Sequence, residues 1–427
     1  MSIFLELWYN FSMSKKILII GNSIKEYVLA KKLAENNEVF VAPGNDAMKD
    51  FVSCVDIRED SIAELLEYVM ENGIDITIPL SSKALSTNIV KLFNDNGLQI
   101  FAPSQEVSNI IFDKAGIKKI LYKLRIPTPK FGIFEKQNMI MDYIKNLKTP
   151  FVVKTNEASS AVVLTSQKTA KTILDSLFAH RNQKVLVEDY IWGTPFSFYI
   201  ITDGYKALPL GSSIIYKHSL EGEGGQLTEG MGASVPNYKL SFENESFLME
   251  NVIYPFLEYL EAGNNPYIGI LGVNGILTEE GAIQVLGFQP AMQNCDAPAL
   301  LEILDADILA LMESCIVGSF SDEVDFIPQK DMAATTVVLT SKYQETPENP
   351  IEGLDLLEDS TIVAYYPVVR KNKYLEYEAA YGPVISVTAL GRTATSATEK
   401  VYEELENINF KGISFRKDIC KPTRIAF

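Results

Sequence analysis

The chain changes its hydrophobic rhythm as it proceeds. KKILIIGNS (15–23) is an unbroken apolar run entering a glycine turn, the pattern of a strand buried on both faces. IKEYVLAKKLAENN then places Ile24, Val28, Leu29 and Leu33 on one face of a helix. EVFVAP, IDITIPL and LQIFAPS repeat the strand pattern, and SIAELLEYVMENG and KALSTNIVKLFNDNG repeat the helix, each closing at a glycine. Strands alternating with helices predict a parallel, doubly wound sheet up to about Ser104.

A helical stretch ending in two prolines, SNIIFDKAGIKKILYKLRIPTP, follows. From Phe151 the rhythm becomes that of an antiparallel sheet with intervening helices. FVVKT, AVVLT, VLVEDYI, FSFYIITDG and KALPLGSSIIYK read as its strands, and SLEGEGGQLTEGMGAS (219–234) as a glycine-rich loop. A long helix (246–263), two strands around the turn Thr278–Ala282 and a further helix (299–318) come next. Beyond about Glu323 the chain is strand-rich again: TTVVLTS, STIVAYY, PVISVTALG, the helix ATSATEKVYEELENI and a final strand SFRKDI.

Charge and composition narrow the chemistry. With 38 basic against 55 acidic side chains the net charge is −17, which argues against a nucleic-acid surface but leaves room for a small anion held by a few local cations. Two histidines, His180 and His218, exclude a His-rich metal centre. Cys54, Cys295, Cys315 and Cys420 form no CxxC pair, so the cysteines suggest neither zinc nor a redox motif. Residues 1–13 resemble no signal peptide, and Met13 begins a second plausible start; they are expected to be a loose extension. No apolar stretch reaches the ~20 residues of a membrane span, so a cytoplasmic protein is expected.

Candidate chemistry sits at strand ends. Gly21 opens a turn into a helix whose N-terminus presents N–H groups to an anion, although GxGxxG is absent. Lys114 and Lys154, the latter ending FVVK, are placed to neutralise phosphates; read alone, each also fits a solvated surface charge. VLVEDYI is suited to offer backbone groups to an adenine edge, and also fits an ordinary strand end. Gly222, Gly224, Gly225, Gly230 and Gly232 permit close backbone approach to a ligand, with Lys217 just before them.

The order of these pieces resembles the phosphoribosylamine–glycine ligase (glycinamide ribonucleotide synthetase) family of the ATP-grasp superfamily. GNSIKEY, VFVAPGN (39–45), FDKAGIKKILYKLRIPTP (112–129), VLVEDYIWG, DGYKALPLGSS (203–213), EGMGASVP (229–236), VTALGRTATSA and FRKDI carry the likeness across residues 16–420. The resemblance implies an α/β fold. Its parts would be an extension (1–13), a Rossmann-like N-terminal domain (14–104), an ATP-grasp domain (105–322) with a mobile lid lobe at about 118–190, and a small α+β C-terminal domain (323–427). It implies ATP and Mg²⁺ as cofactors and glycine and phosphoribosylamine as substrates, in a monomer or small homo-oligomer. Lys114 and Lys154 would hold ATP phosphates, and Glu188, Asp189, Tyr190 and Ile191 the adenine. Lys217, Gly230, Met231 and Gly232 would face the substrates, with Asn22 on the phosphoribosylamine side.

The sequence also departs from that family. The glycine-rich phosphate loop is shortened to NEASSA, with Glu157 to Ser160 in place of glycines. The turn after the hinge reads GTPF, the N-terminal Gly-Pro-Glu reads LSS (80–82), and IYKH (215–218) keeps only Lys217 of its motif. The metal positions hold Gly287 and Gln289, and Ala291 replaces an arginine. Asp296, Glu221 and Glu223 are the acids near these positions in sequence. Two alternatives to the ligase therefore stand: a relative that binds a nucleotide or protein without catalysis, and an ATP-grasp ligase for another acid and amine.

Overall fold

The computed structural model describes residues 14–156, 161–178, 184–320, 327, 329–343 and 348–421. The extension 1–13, the loop residues Glu157 to Ser160 and His180 lie outside them.

The N-terminal pattern folds as its periodicity requires. Lys16–Gly21 pairs in parallel with Glu38–Pro43 on one side and Ile76–Pro79 on the other, and Ser53–Cys54 completes a four-stranded sheet. Successive residues of the central strand serve opposite faces: Ile17 and Ile19 pack toward the main core, Leu18 and Ile20 toward Leu65, Val69 and Phe93. Helix Ile24–Leu33 begins at a capping box, in which Glu26 accepts from the Ser23 N–H at 2.9 Å. Helix Ile62–Asn72 ends at Gly73, whose φ of 61° favours glycine. LQIFAPS, expected as a strand, contributes only a bridge between Thr77 and Ile100. KALSTNIVKLFNDNG forms two short helices, Ser82–Leu85 and Ile89–Asp95, because Thr87 interrupts it with local side-chain bonding.

The antiparallel part is two sheets rather than one. Phe131–Phe134, Val185–Asp189, Phe151–Lys154 and Ala161–Leu164 form a small sheet in that spatial order. It has its own core: Phe151, Val153, Val185 and Val187 meet Ile140 and Ile144 of helix Gln137–Ile144 and Leu174 of helix Gln167–Phe178. Helix Lys114–Lys123 belongs elsewhere; Ile117 and Leu121 pack in the cluster around Phe198, Leu271 and Val285.

The larger sheet has nine strands. From Ile283–Gln289 it runs through Gly269–Leu277, Thr194–Thr202, Ala207–Leu220 and Gly224–Val235 to Ala333–Ser341, Gly382–Gly391 and Ile362–Tyr365, with Ile413–Ser414 beside Ala333–Ser341. The last four of these strands come from beyond residue 322, so one continuous sheet spans both sides of that point. The stretch 219–234, expected as a loop, is mostly the strand Gly224–Val235 after a short turn Glu221–Glu223. SFRKDI, expected as a strand, is one only at Ile413–Ser414; Arg416 leaves the ladder to make side-chain bonds described below. No helix among the described residues is long and apolar enough to cross a membrane.

Candidate functional site

The small sheet, helix Lys114–Lys123 and the large sheet bring four lysines within electrostatic reach of one another. Lys154 ends Phe151–Lys154, and its Nζ lies 2.5 Å from Glu188 Oε2. Lys118 Nζ lies 2.6 Å from Glu188 Oε1 and also donates to Thr128 Oγ1 at 2.6 Å. Lys118 is fully buried and Glu188 is 2% exposed. Burial alone would push the Glu188 carboxyl up, but the two ammonium groups outweigh it and hold the carboxyl below its usual range. Two lysines against one carboxylate leave this triad with a net positive charge.

Lys114 stands at the start of its helix. Burial, reinforced by the charges of Lys154 and Lys217, lowers it to about 8. Lys217, on strand Ala207–Leu220, is also lowered by burial, with Lys154 adding repulsion and Cys295 and Asp296 opposing it. Lysines 40 and 103 residues beyond Lys114 thus repel it across one space, a convergence that none of the local patterns contained. Lys118 is likewise lowered to about 8, by burial first, with Glu188 pulling the other way. The sequence reading passed over Lys118. Its signal was the four-residue spacing from Lys114, which puts both on one helix face.

Asn156, two residues past Lys154, ties the small sheet to this helix. Its Oδ1 accepts from the Lys114 N–H at 3.0 Å, and its Nδ2 donates to Asp113 Oδ1 at 3.2 Å. Asp189 still pairs through its N–H with Lys130 O at 2.9 Å, and the chain leaves the sheet at Tyr190. The Tyr190 ring packs edge-on to Trp192 at 4.6 Å, and Tyr190 and Ile191 are half-buried beside the triad strand.

A second polar cluster lies toward the large sheet, and its hydrogen-bonding groups are neutral except one. Gln289 Nε2 donates to Tyr199 Oη at 2.7 Å, and Asn274 Nδ2 donates to Gln289 Oε1 at 3.0 Å. Gln293 Nε2 donates to Ser197 Oγ at 2.8 Å and to Asn274 Oδ1 at 3.1 Å, and Ser197 Oγ donates to the same Asn274 Oδ1 at 2.8 Å. Tyr199 Oη then meets both oxygens of Asp296, at 3.0 and 2.9 Å. Ser213 Oγ donates to Asp296 at 2.7 Å and the Gln293 N–H at 3.1 Å. Asp296 is fully buried, and burial pushes its carboxyl up to about 6 despite those donors and Lys217. A side chain built at Gly287 would meet only Ile117 Cγ2 among its non-neighbours, at 3.8 Å, so this position faces the Lys114 helix with room to spare.

The structure brings other expected residues to different places. Gly230 packs on Cys295, where an added Cβ would come within 2.3 Å of the sulfur, and Gly232 on the Thr336 carbonyl of the next strand at 2.5 Å. Met231 is 5% exposed. At the two glycines internal packing leaves no room for a side chain. Asn22 lies in the turn after Lys16–Gly21, where its carbonyl accepts from Asn45 Nδ2 at 3.0 Å. The three acids near the altered positions do not converge. Asp296 is held as described, while Glu223 pairs with the buried Arg416 at 2.8 Å, and Arg416 also grips Asp418 at 2.7 Å. Asp418 in turn accepts from the Gly222 N–H at 2.9 Å, so the C-terminal segment pins the turn 221–223. Among the described residues no group of three or more His, Cys, Asp or Glu side chains is placed to hold a metal ion.

Known proteins resemble this arrangement. The family model "Phosphoribosylglycinamide synthetase, ATP-grasp (A) domain" matches residues 112–297, and "Phosphoribosylglycinamide synthetase, N domain" matches 15–110. The chain is 30% identical over 422 residues to phosphoribosylamine–glycine ligase of Allochromatium vinosum, covering 95% of this chain and 97% of that protein. It is 28% identical over 421 residues to the protein of that name from Caldanaerobacter subterraneus subsp. tengcongensis, covering 95% and 99%. In structure it is similar to phosphoribosylamine–glycine ligase of Thermotoga maritima, with a TM-score of 0.79, 19% identity and coverage of 95% and 100%. It also resembles the biotin carboxylase domain of Hydrogenobacter thermophilus 2-oxoglutarate carboxylase, with a TM-score of 0.67, 15% identity and coverage of 94% and 92%.

Proposed function

Because the chain belongs to the phosphoribosylglycinamide synthetase family, we propose that it is an ATP-dependent carbon–nitrogen ligase that holds ATP in the lysine-lined cleft. The family is one of ATP-grasp enzymes and implies ATP and Mg²⁺. The observation that supports nucleotide binding most is the mutual repulsion of Lys114, Lys154 and Lys217, which an anion between them would relieve. In this reading Lys114 and Lys154 face the phosphates, the segment Glu188 to Ile191 borders the base, and Lys217 orients the acid substrate. The substrates are those in the relatives' name, phosphoribosylamine and glycine. The protein works on small molecules in the cytoplasm, as a monomer or small homo-oligomer.

The chemistry then has two steps. A carboxylate oxygen of glycine attacks the γ-phosphorus and ADP leaves. The amine attacks the acyl carbon, phosphate departs with the bonding pair, and the amine loses a proton. The positive cleft stabilises charge on the transferred group, the dominant contribution in phosphoryl transfer. The donors around Gly287 and Gln289 do not fit Mg²⁺, which favours several oxygen ligands including carboxylates. They are amides already bonded to one another, and the one carboxylate, Asp296, is buried behind Tyr199 and Ser213. That same observation favours a second reading, a family member that binds nucleotide without transferring phosphate.

Purified protein with ATP, Mg²⁺, glycine and phosphoribosylamine decides between them. Glycinamide ribonucleotide with stoichiometric ADP establishes the ligase. ATP binding without product, together with failure to rescue a purine auxotroph lacking the ligase, leaves the second reading.

A further inference from the structure

The disagreement between the family's metal and this chain's donors has a consequence for the nucleotide itself. We propose that the cleft takes a nucleoside polyphosphate free of divalent metal, with Lys114, Lys154 and Lys217 supplying the neutralising charge. This rests on the nucleotide-binding reading above.

Three observations carry it. First, side chains that could ligate a cation are committed to one another, with Tyr199 also held by Asp296. Asn274, Gln289, Gln293, Ser197 and Tyr199 form a closed chain of bonds between 2.7 and 3.1 Å. A cation would have to break half-buried hydrogen bonds to obtain neutral ligands, a poor exchange for an ion as strongly hydrated as Mg²⁺. Secondly, position 287, which faces the Lys114 helix, has no side chain to offer. Thirdly, the positive charges already crowd one another. Lys154 and Lys217 both raise the potential at Lys114, and the triad of Lys118, Lys154 and Glu188 keeps one positive charge in excess. A metal–nucleotide complex carries two fewer negative charges than the free polyphosphate and so gains less from that positive space.

The experiment is calorimetric titration of the full chain with ATP and with ADP, in EDTA and in excess Mg²⁺. The expected result is that binding persists in EDTA and that Mg²⁺ improves it by less than about tenfold, under about 1.4 kcal/mol. Lys217→Gln should weaken the binding seen in EDTA. Asn274→Asp combined with Gln289→Glu should put two carboxylates side by side and make binding respond to Mg²⁺. Binding that needs Mg²⁺ in the unmodified chain overturns the inference while leaving the nucleotide reading intact. Absence of binding in both buffers overturns the nucleotide reading and the inference with it. The unmodified chain decides the matter even if the double variant does not fold.

Discussion

The two polar clusters beside the cleft meet burial in opposite ways. Around Glu188 the solution is ionic: one carboxylate between Lys118 and Lys154, with little water in reach. Around Gln289 it is almost neutral: amides and hydroxyls in a chain that ends on Asp296. A buried ion pair gains its stability only while both partners remain, because a single charge left behind in a low dielectric is heavily penalised. A neutral network tolerates loss more gently, since each missing bond strands one polar group rather than one charge. The ionic cluster therefore keeps an electrostatic task available, and the neutral one has given it up.

The sharpest way to break this contrast is Glu188→Leu. It strands two lysines, and removing one partner from a buried ionic group costs about 3–5 kcal/mol. Urea unfolding should show that loss, while Gln289→Ala should lose about 1–3 kcal/mol, the scale for an unsatisfied buried polar group. Equal losses would dissolve the distinction. For ligand binding the asymmetry should also hold. Lys154→Ala should weaken ATP by about tenfold or more, as expected for a charge-assisted contact worth about 1.5–3 kcal/mol. Gln289→Ala should change ATP affinity by less than that.

Two pH experiments sharpen the comparison. Lys114, lowered to about 8, loses its charge as pH rises through that value, so ATP affinity should fall between pH 7 and 9, by up to about tenfold. Lys114→Arg should reduce the fall, because guanidinium stays charged, while Lys118 and Lys217, also lowered, keep part of it. Asp296 works in the other direction. Its carboxyl is raised to about 6 in the folded state, so the folded chain binds the extra proton and is stabilised as pH drops from 7 toward 5. This gain is the smallest effect, and Asp296→Asn should abolish it in melting curves at the two pH values.

Much of the architecture was legible. The apolar run Ile17 to Ile20 needed cover on both faces and found it in two separate cores. The period-two pattern of the later strands predicted antiparallel pairing, but not its division into two sheets. Phe151 to Val153 would satisfy either sheet, and only the helices packed over the smaller one, through Ile140 and Leu174, separate it. The glycines of 219–234 suggested a loop, whereas Gly224–Val235 is a strand; at Gly230 and Gly232 a side chain would meet Cys295 and Thr336, a tightness that only tertiary packing reveals. Lys118 was passed over because a lysine in an amphipathic helix ordinarily points to water.

By itself, the sequence determined the family, the parallel and antiparallel halves, and the residue types that could meet phosphate. Those depend on local periodicity and on the identity of short segments. Only the tertiary structure decided which charges meet. Lys114, Lys154 and Lys217 sense one another, Glu188 is shared by two lysines, and Asp296 lies behind Tyr199 and Ser213. Coulomb energy depends on distance in space and on the dielectric between charges, and spacing along the chain carries neither.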